Sequence, residues 1–264
     1  MNRYLYLSRE FAQISLKEAA AHRIDFIFGL INSITSITIS LIVLNFMFQH
    51  NQRLAGWQIA EVIVIIGLFR LLKAIMDTFV APNLRNLQQS IRNGGLDFIL
   101  LKPVDPQFYV SFQKTEIWNG MSIIVAIIAI IYGIIIHEEI VPIVGIILFL
   151  LAVLSATLLL YSIWLLVMAS TFWLIDTTNL SNIVTTGTDF AQFPIQVYPH
   201  VLQFLFTFIF PIAFFSTVPA SILFTPGDKS FEFLLLSIIV TTIFFFLSRI
   251  VWMSALKKYT SVNS

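Results

Sequence analysis

Long apolar segments recur along the whole chain and constrain its fold more than any other feature. A membrane-spanning helix needs about 20 mostly apolar residues, and five segments reach that length: 24–48, 59–80, 117–136, 141–173 and 231–252. Hydrophobic residues make up 58% of the 264 and charged residues 11%, against about 45–50% and about 25% in soluble domains. The sequence therefore predicts an all-α polytopic membrane protein, with one transmembrane domain over residues 1–264. It excludes an ordinary cytosolic enzyme, a disordered chain and a nucleic-acid binder.

A further segment, residues 176–192, is more polar but has a helical period. Its polar side chains recur at intervals of 4, 3, 4 and 3 residues and so share one helical face; they are Thr178, Asn182, Thr185, Asp189 and Gln192. Two structures fit this pattern: an amphipathic helix at the membrane surface, or a fifth span whose polar face lines a water-filled cavity. In a span, Asp189 would have to face that cavity or a partner, because an ionised carboxylate inside a bilayer is costly.

Basic residues are distributed unevenly between the two sides of these spans. If the N-terminus is cytoplasmic, only Arg53 and Lys229 of the 15 lysine and arginine residues fall on the outer side. A bias of this kind sets the orientation of membrane proteins. It requires an even number of crossings, so we predict six spans with both termini in the cytoplasm.

Residues 1–23 carry too many charges for the core of a signal peptide. Apolar side chains recur between these charges, at Leu5, Leu7, Phe11, Ile14, Leu16 and Ala19. This pattern is typical of a helix that lies on a membrane surface. We therefore predict an N-terminal amphipathic interfacial helix, with a frayed basic leader as the alternative.

The longest polar connection, residues 82–116, contains its own helix signals. Pro82 suits the first position of a helix, and an apolar stripe follows at Leu84, Leu87 and Ile91. Gly94-Gly95 can end that helix, and Asp105-Pro106 can begin another. The stripe must be buried against lipid headgroups, the protein's own helices or a cytosolic partner.

Polar residues also interrupt the first two spans. Asn32, Ser36 and Ser40 follow one another at intervals of four, which suits either close helix packing or a lining for a pathway. On the second span, Arg70, Lys73 and Asp77 share a face. Lys73 and Asp77 either neutralise each other near the cytoplasmic interface, or this face forms an ion relay with Asp189.

Several kinds of chemistry are absent from the sequence. The chain has no cysteine, so thiolate metal sites and cysteine nucleophiles are excluded. No P-loop, H-E-x-x-H or G-x-S-x-G motif is present, and the four histidines have no ligand spacing. We therefore expect no catalytic residue, no metal site and no bound cofactor on this chain.

Two stretches resemble the bacterial ABC-2 type permease family. The first is Gly95-Leu96-Asp97-Phe98-Ile99-Leu100-Leu101-Lys102-Pro103-Val104, which is similar to the family signature G-x-L-D-x-x-L-L-[KR]-P. The second is the proline-spaced segment that contains Phe193-Pro194, Tyr198-Pro199, Phe210-Pro211 and Val218-Pro219. Residues 69–74 fit as well. The resemblance covers most of the chain.

This resemblance implies a six-span exporter subunit of the bacterial inner (plasma) membrane, with the ABC-2, or type V exporter-like, fold. Residues 193–224 would form re-entrant helices outside the membrane before the last span. A separate cytosolic ABC ATPase would hold ATP and magnesium. Residues 82–116 would form the coupling loop that docks on it, through Leu84, Leu87, Ile91, Arg92, Asp97 and Lys102.

The resemblance also implies that two permease chains, identical or related, enclose one pathway within the membrane lipid. In such folds spans one, two and five border the pathway, which agrees with the polar faces found above. The candidate pathway residues are therefore Asn32, Ser36, Thr178, Asn182, Thr185 and Asp189. An exporter permease is the first hypothesis; the alternatives are an ion-coupled carrier or channel that acts without an ATPase, and a non-transporting membrane scaffold.

Overall fold

A computed structural model describes residues 2–21, 23–49, 53–174, 179–225 and 227–259 of the chain. Within these ranges the protein is helical and contains no strand, apart from an isolated bridge between Leu54 and Trp57. In chain order the α-helices are α1 (Asn2–Ala21), α2 (Arg23–Phe48), α3 (Ile59–Phe79), α4 (Ala81–Arg85), α5 (Leu87–Arg92), α6 (Gly95–Leu100), α7 (Pro106–Phe112), α8 (Gly120–Ile136), α9 (Ile143–Ala169), α10 (Leu180–Asp189), α11 (His200–Phe204), α12 (Thr217–Phe224) and α13 (Asp228–Lys258).

Four segments of the described chain are long and apolar enough to cross a membrane. They are Phe26–Phe48, Ile117–Ile136, Ile143–Phe172 and Asp228–Lys258, and they agree with four of the predicted spans. The chain is therefore a multi-pass membrane protein. The count of six spans remains a prediction, because α3 and α10 differ from these four in charge and in length.

Helix α3 has the length of a span but not its composition. Its 21 residues extend roughly 31 Å, yet it carries Glu61, Arg70, Lys73 and Asp77. The other helices enclose it, since the residues from Val62 to Leu68 are all buried. Protein rather than lipid therefore surrounds most of α3.

Helix α10 is shorter than the fifth span that the sequence predicts. Its 10 residues extend roughly 15 Å, about half of a bilayer core. A single 3₁₀ turn, Phe190–Gln192, follows directly. Thr178, at the start of the predicted polar face, lies outside the described residues.

Two glycines bring α3 and α8 into close contact. A Cβ atom at Gly133 would lie 2.7 Å from Cγ2 of Val64 and 2.9 Å from the carbonyl oxygen of Ala60. A Cβ atom at Gly67 would lie 2.7 Å from Cγ1 of Ile130. Small residues of this kind allow two membrane helices to approach closely, so α3 and α8 form the tightest pair around the site described below.

The bundle has two distinguishable ends. We call the end that carries α1, α4–α7 and the last turn of α13 the loop end, and the opposite end the far end. The proline-spaced segment folds against the far end, where the Trp57 indole N–H donates to Oε1 of Gln196 at 3.0 Å and the His137 ring lies 4.5 Å from that of Phe224. Its inner part is buried among the spans around Phe214 and Phe215.

Helix α1 packs on α7 and on the residues that follow it. The Tyr4 and Phe108 rings lie 5.1 Å apart and the Phe11 and Tyr109 rings 5.3 Å apart. Ile14 and Leu16, two of the apolar residues that the prediction rested on, are exposed instead. The helix is therefore anchored through an aromatic face, while part of its aliphatic face remains uncovered.

Candidate functional site

A polar cavity of about 210 Å³ lies between α2, α3 and α8. Helix α2 contributes Asn32, Ser33 and Ser36, and α3 contributes the side chains of Arg70, Lys73 and Asp77. The opposite wall comes from Asn119 and Ser122 at the start of α8. Two of the predicted pathway residues, Asn32 and Ser36, thus line the same cavity as the charged face of α3.

Close packing at the loop end of α2 defines one edge of this cavity. The Ser33 and Ser122 hydroxyls are hydrogen-bonded to each other. A Cβ atom at Gly29 would lie 2.9 Å from the carbonyl oxygen of Trp118, so a larger residue there would push α2 away. The cavity therefore lies beside a tight contact between α2 and the start of α8, toward the loop end of the bundle.

Arg70, near the middle of α3, connects α3 to α2. Its Nη1 donates to Oγ of Ser36 at 2.6 Å, and its Nη2 donates to the Ser36 carbonyl and to Oγ of Ser40, each at 2.8 Å. Its Nε is buried and donates to no acceptor among the described residues. All three acceptors of the guanidinium are thus neutral oxygens of a single helix.

Lys73 and Asp77 do not pair with each other, although their spacing of four allowed that interpretation. Lys73 Nζ lies 2.7 Å from Oδ1 of Asp189 on α10, and Asp77 Oδ1 lies 3.0 Å from Nη2 of Arg85 on α4. Lys73 and Asp77 each form an ion pair with a residue of another helix, because the fold brings α10 and α4 against α3. A spacing rule applied to one helix could not find these partners.

Asp189 is the only predicted residue of α10 that reaches the cavity wall directly, through its ion pair with Lys73. Thr185 lies beside it, in a narrow crevice that Lys73 and Asp77 also line. Asn182 is exposed on α10, one turn nearer the start of the helix. The structure therefore brings together Asn32, Ser36 and Asp189, places Thr185 next to them, and leaves Asn182 apart.

The loop of residues 82–116 is closed at its base by a buried asparagine that the sequence analysis missed. Asn83 Nδ2 donates to the carbonyls of Phe79 and Lys114 at 2.9 and 2.7 Å, and its Oδ1 accepts from the Lys114 N–H at 2.8 Å. The Glu116 N–H also donates to the Thr78 carbonyl at 2.8 Å. The sequence carried no signal for this role, because the burial of Asn83 is visible only in the structure, where buried amides are hydrogen-bonded.

The far side of the loop is attached to the last span. Asp105 begins α7 as predicted, accepting from the N–H groups of Gln107 and Phe108 with Pro106 in the first position. Its Oδ2 lies 2.6 Å from Nη2 of Arg249 on α13. Burial acts to raise the pKa of Asp105, but the donors from Arg249 and the two backbone N–H groups outweigh it and lower the pKa below its ordinary value.

A second polar contact joins the same helix to α9. Gln107 donates to the Tyr161 hydroxyl at 2.9 Å and accepts from Nη1 of Arg249 at 2.5 Å. The Ser111 hydroxyl lies 3.1 Å from that of Tyr161. Helix α7 is therefore held by both α9 and α13. Together with the contacts of its base to the end of α3, the loop is connected to three of the long helices.

The apolar stripe of the loop is covered by the protein's own helices. Leu84 and Leu87 are 0% and 1% exposed within the main core, and Ile91 packs against the same core. The stripe is also split at Asn86, where α4 ends and α5 begins. Leu84 and Leu87 therefore cannot contact another protein in this structure, and the expectation that they would do so is corrected.

Other predicted coupling residues and two new ones lie at the tip of the loop. Arg92 and Lys102 are exposed, and Lys102 donates to the Tyr109 hydroxyl and lies 3.8 Å from the centre of its ring. Asp97 is half-buried beside Tyr259. Phe98 and Leu101, which the sequence analysis did not select, are 71% and 82% exposed, and they form the apolar part of this tip.

One comparison with known proteins gives a match. The family model described as "ABC-2 family transporter protein" matches residues 34–263. The matched range includes most of the cavity, the whole loop and the proline-spaced segment. A search of curated proteins gives no match.

Proposed function

The chain belongs to the ABC-2 family of transporter proteins, and on that premise we propose that it is the permease subunit of an ABC exporter. ATP and magnesium would bind to a separate ATPase chain, and two permease chains, identical or related, would enclose the pathway. The protein would lie in the inner membrane of a bacterium. The loop end would face the cytoplasm, as the charge distribution of the sequence requires.

The observation that carries this proposal is the construction of the loop. Its base is closed by Asn83, its α7 is held by α9 and α13, and its tip presents two exposed apolar side chains. A loop fixed in this way transmits a displacement of its tip to the spans instead of bending. Such a coupling element would switch the pathway between two states that ATP binding favours unequally.

Phe98, Leu101, Arg92 and Lys102 form the proposed docking surface, together with Asp97 at its edge. This set differs from the one based on sequence alone, because Leu84, Leu87 and Ile91 serve to fix the loop on the spans. Exposed aromatic residues and arginine are typical of a protein contact. The buried stripe and the exposed tip would thus have separate roles in one coupling loop.

The test is to purify the tagged chain in mild detergent from its native membrane and to measure ATP hydrolysis in the eluate. A P-loop ATPase should accompany the wild-type chain, and its activity should be lost from a Phe98→Asp/Leu101→Asp variant. Ile140→Asp is the matched control, because Ile140 is 97% exposed at the far end, and it should retain the activity. If the wild-type chain purifies as an oligomer without an ATPase, the exporter proposal is wrong and the carrier or channel becomes the working hypothesis.

A further inference from the structure

The charges around the polar cavity do not cancel. Lys73 pairs with Asp189 and Arg85 with Asp77, whereas the Glu116 carboxylate does not line the cavity and accepts a hydrogen bond from the Asn119 amide at 3.1 Å. Asp189 also acts electrostatically on Arg70, but its close contact is with Lys73. Among the described residues, the wall and its ion-pair partners therefore retain one net positive charge, and Arg70 lacks a carboxylate of its own.

Arg70 is placed so that this excess charge is costly. It lies near the middle of α3, and all its hydrogen bonds go to neutral oxygens of Ser36 and Ser40. A charged residue at such a depth faces a cavity or a partner and often marks a pathway. A guanidinium in a low-dielectric site attracts an oxyanion through its charge and its fork of N–H groups. Three of the five N–H groups of Arg70 already donate to Ser36 and Ser40, which leaves one on Nη1 and the one on Nε without an acceptor among the described residues.

Two other polar groups of the cavity suit the same kind of guest. The Asn32 amide and the Ser36 hydroxyl can each donate a hydrogen bond, whereas the Asn119 amide donates to Asp77 and Glu116 and the Ser122 hydroxyl is bonded to that of Ser33. The volume of about 210 Å³ is smaller than the roughly 300–1,000 Å³ of a pocket that encloses a drug-sized ligand. The cavity therefore has room for a charged group but not for a whole large cargo.

From these observations we propose that the cavity binds an oxyanion group, a phosphate or a carboxylate, and that Arg70 is the residue that recognises it. The group would be either a free small anion or the charged end of a larger apolar cargo. This inference rests on the proposed function only in treating the cavity as part of the cargo pathway. Binding to the cavity requires no ATPase, so the two proposals fail in different experiments.

The test measures the thermal unfolding midpoint of the purified full chain in neutral detergent, by tryptophan fluorescence, at constant ionic strength. The probes are inorganic phosphate, phenyl phosphate and benzylammonium chloride. A ligand that binds only the folded chain raises the midpoint with its concentration. We expect a saturable rise with phenyl phosphate and none with benzylammonium, and the dissociation constant obtained should be at least tenfold weaker in Arg70→Gln.

Two further variants separate anion binding from the structural contact between α3 and α2. Ser40→Ala removes one hydrogen bond of Arg70 but keeps its charge, so its affinity should stay within about twofold of the wild type. Arg70→Lys keeps the charge but not the planar guanidinium, so its affinity for phenyl phosphate should lie between those of the wild type and Arg70→Gln. This variant also tests the proposal if Arg70→Gln does not fold. A similar rise with inorganic phosphate would identify a free anion as the guest, whereas a rise with phenyl phosphate alone would identify an amphipathic anion. No rise with either, or an equal rise with benzylammonium, would overturn the proposal.

Discussion

Asn83 gives the sharpest test of the idea that the loop is a fixed unit. In Asn83→Ala the loop loses the two hydrogen bonds that join the sides of its base, those with the carbonyl and the N–H of Lys114. A hydrogen bond contributes about 0.5–1.5 kcal/mol net, so local opening of the base should become easier by about 1–3 kcal/mol. Because each 1.4 kcal/mol is a factor of ten, amide exchange at the base should accelerate by roughly fivefold to a hundredfold.

The assay is hydrogen exchange by mass spectrometry on the full chain in detergent. It follows peptides that cover residues 78–84 and 112–118, which form the two sides of the base. Ser90→Ala is the control, since Ser90 lies in the same loop but donates only to the Asn86 carbonyl of its own turn; its exchange at the base should equal that of the wild type. If Asn83→Ala also stays within about threefold of the wild type, the loop is not closed by Asn83 and the argument for a rigid coupling element fails.

Two more predictions concern the contacts that hold the helices together. Because the pKa of Asp105 is lowered in the folded chain, its carboxylate stabilises the fold fully above its ordinary pKa and loses this effect as the pH falls through the lowered value. The thermal midpoint of the wild type should therefore exceed that of Asp105→Asn at neutral pH and converge with it in acid; an equal gap at both would contradict the ion pair with Arg249. Gly133→Val should lower the free energy of unfolding by about 1–3 kcal/mol and so lower the thermal midpoint in detergent, because its Cβ would overlap Val64. Gly120→Val in the same helix, where nothing lies within 4 Å of the Cβ position, should have a far smaller effect.

Local chemistry made some features predictable from the sequence. Asp105-Pro106 begins α7, and Gly94 adopts the left-handed conformation (φ 68°) that the Gly94-Gly95 pair suggested. The four apolar spans follow from hydropathy alone. In each case neighbouring residues determine the outcome, through a side-chain cap, a backbone preference or the solvent around one helix.

Features that depend on contacts between distant segments were not predictable in this way. The period of Leu84, Leu87 and Ile91 correctly indicated a buried stripe, but it could not show that the protein's own core covers it. Lys73 and Asp189 are 116 positions apart, so no spacing rule connects them. The Asn83 contacts link residues 31 positions apart, and a single asparagine has no periodicity to reveal its role.

The tight contact between α3 and α8 has a consequence for how the chain is made. On insertion scales, a lysine or arginine at the centre of an isolated helix costs about 2.5–3.5 kcal/mol, whereas each leucine or isoleucine returns only about 0.3–0.6 kcal/mol. Helix α3 carries Arg70 and Lys73 near its middle, while α8 carries no charged residue at all. We expect the translocon to retain α3 while the ribosome completes the loop and α8. The two helices would then enter the lipid together, as one hairpin.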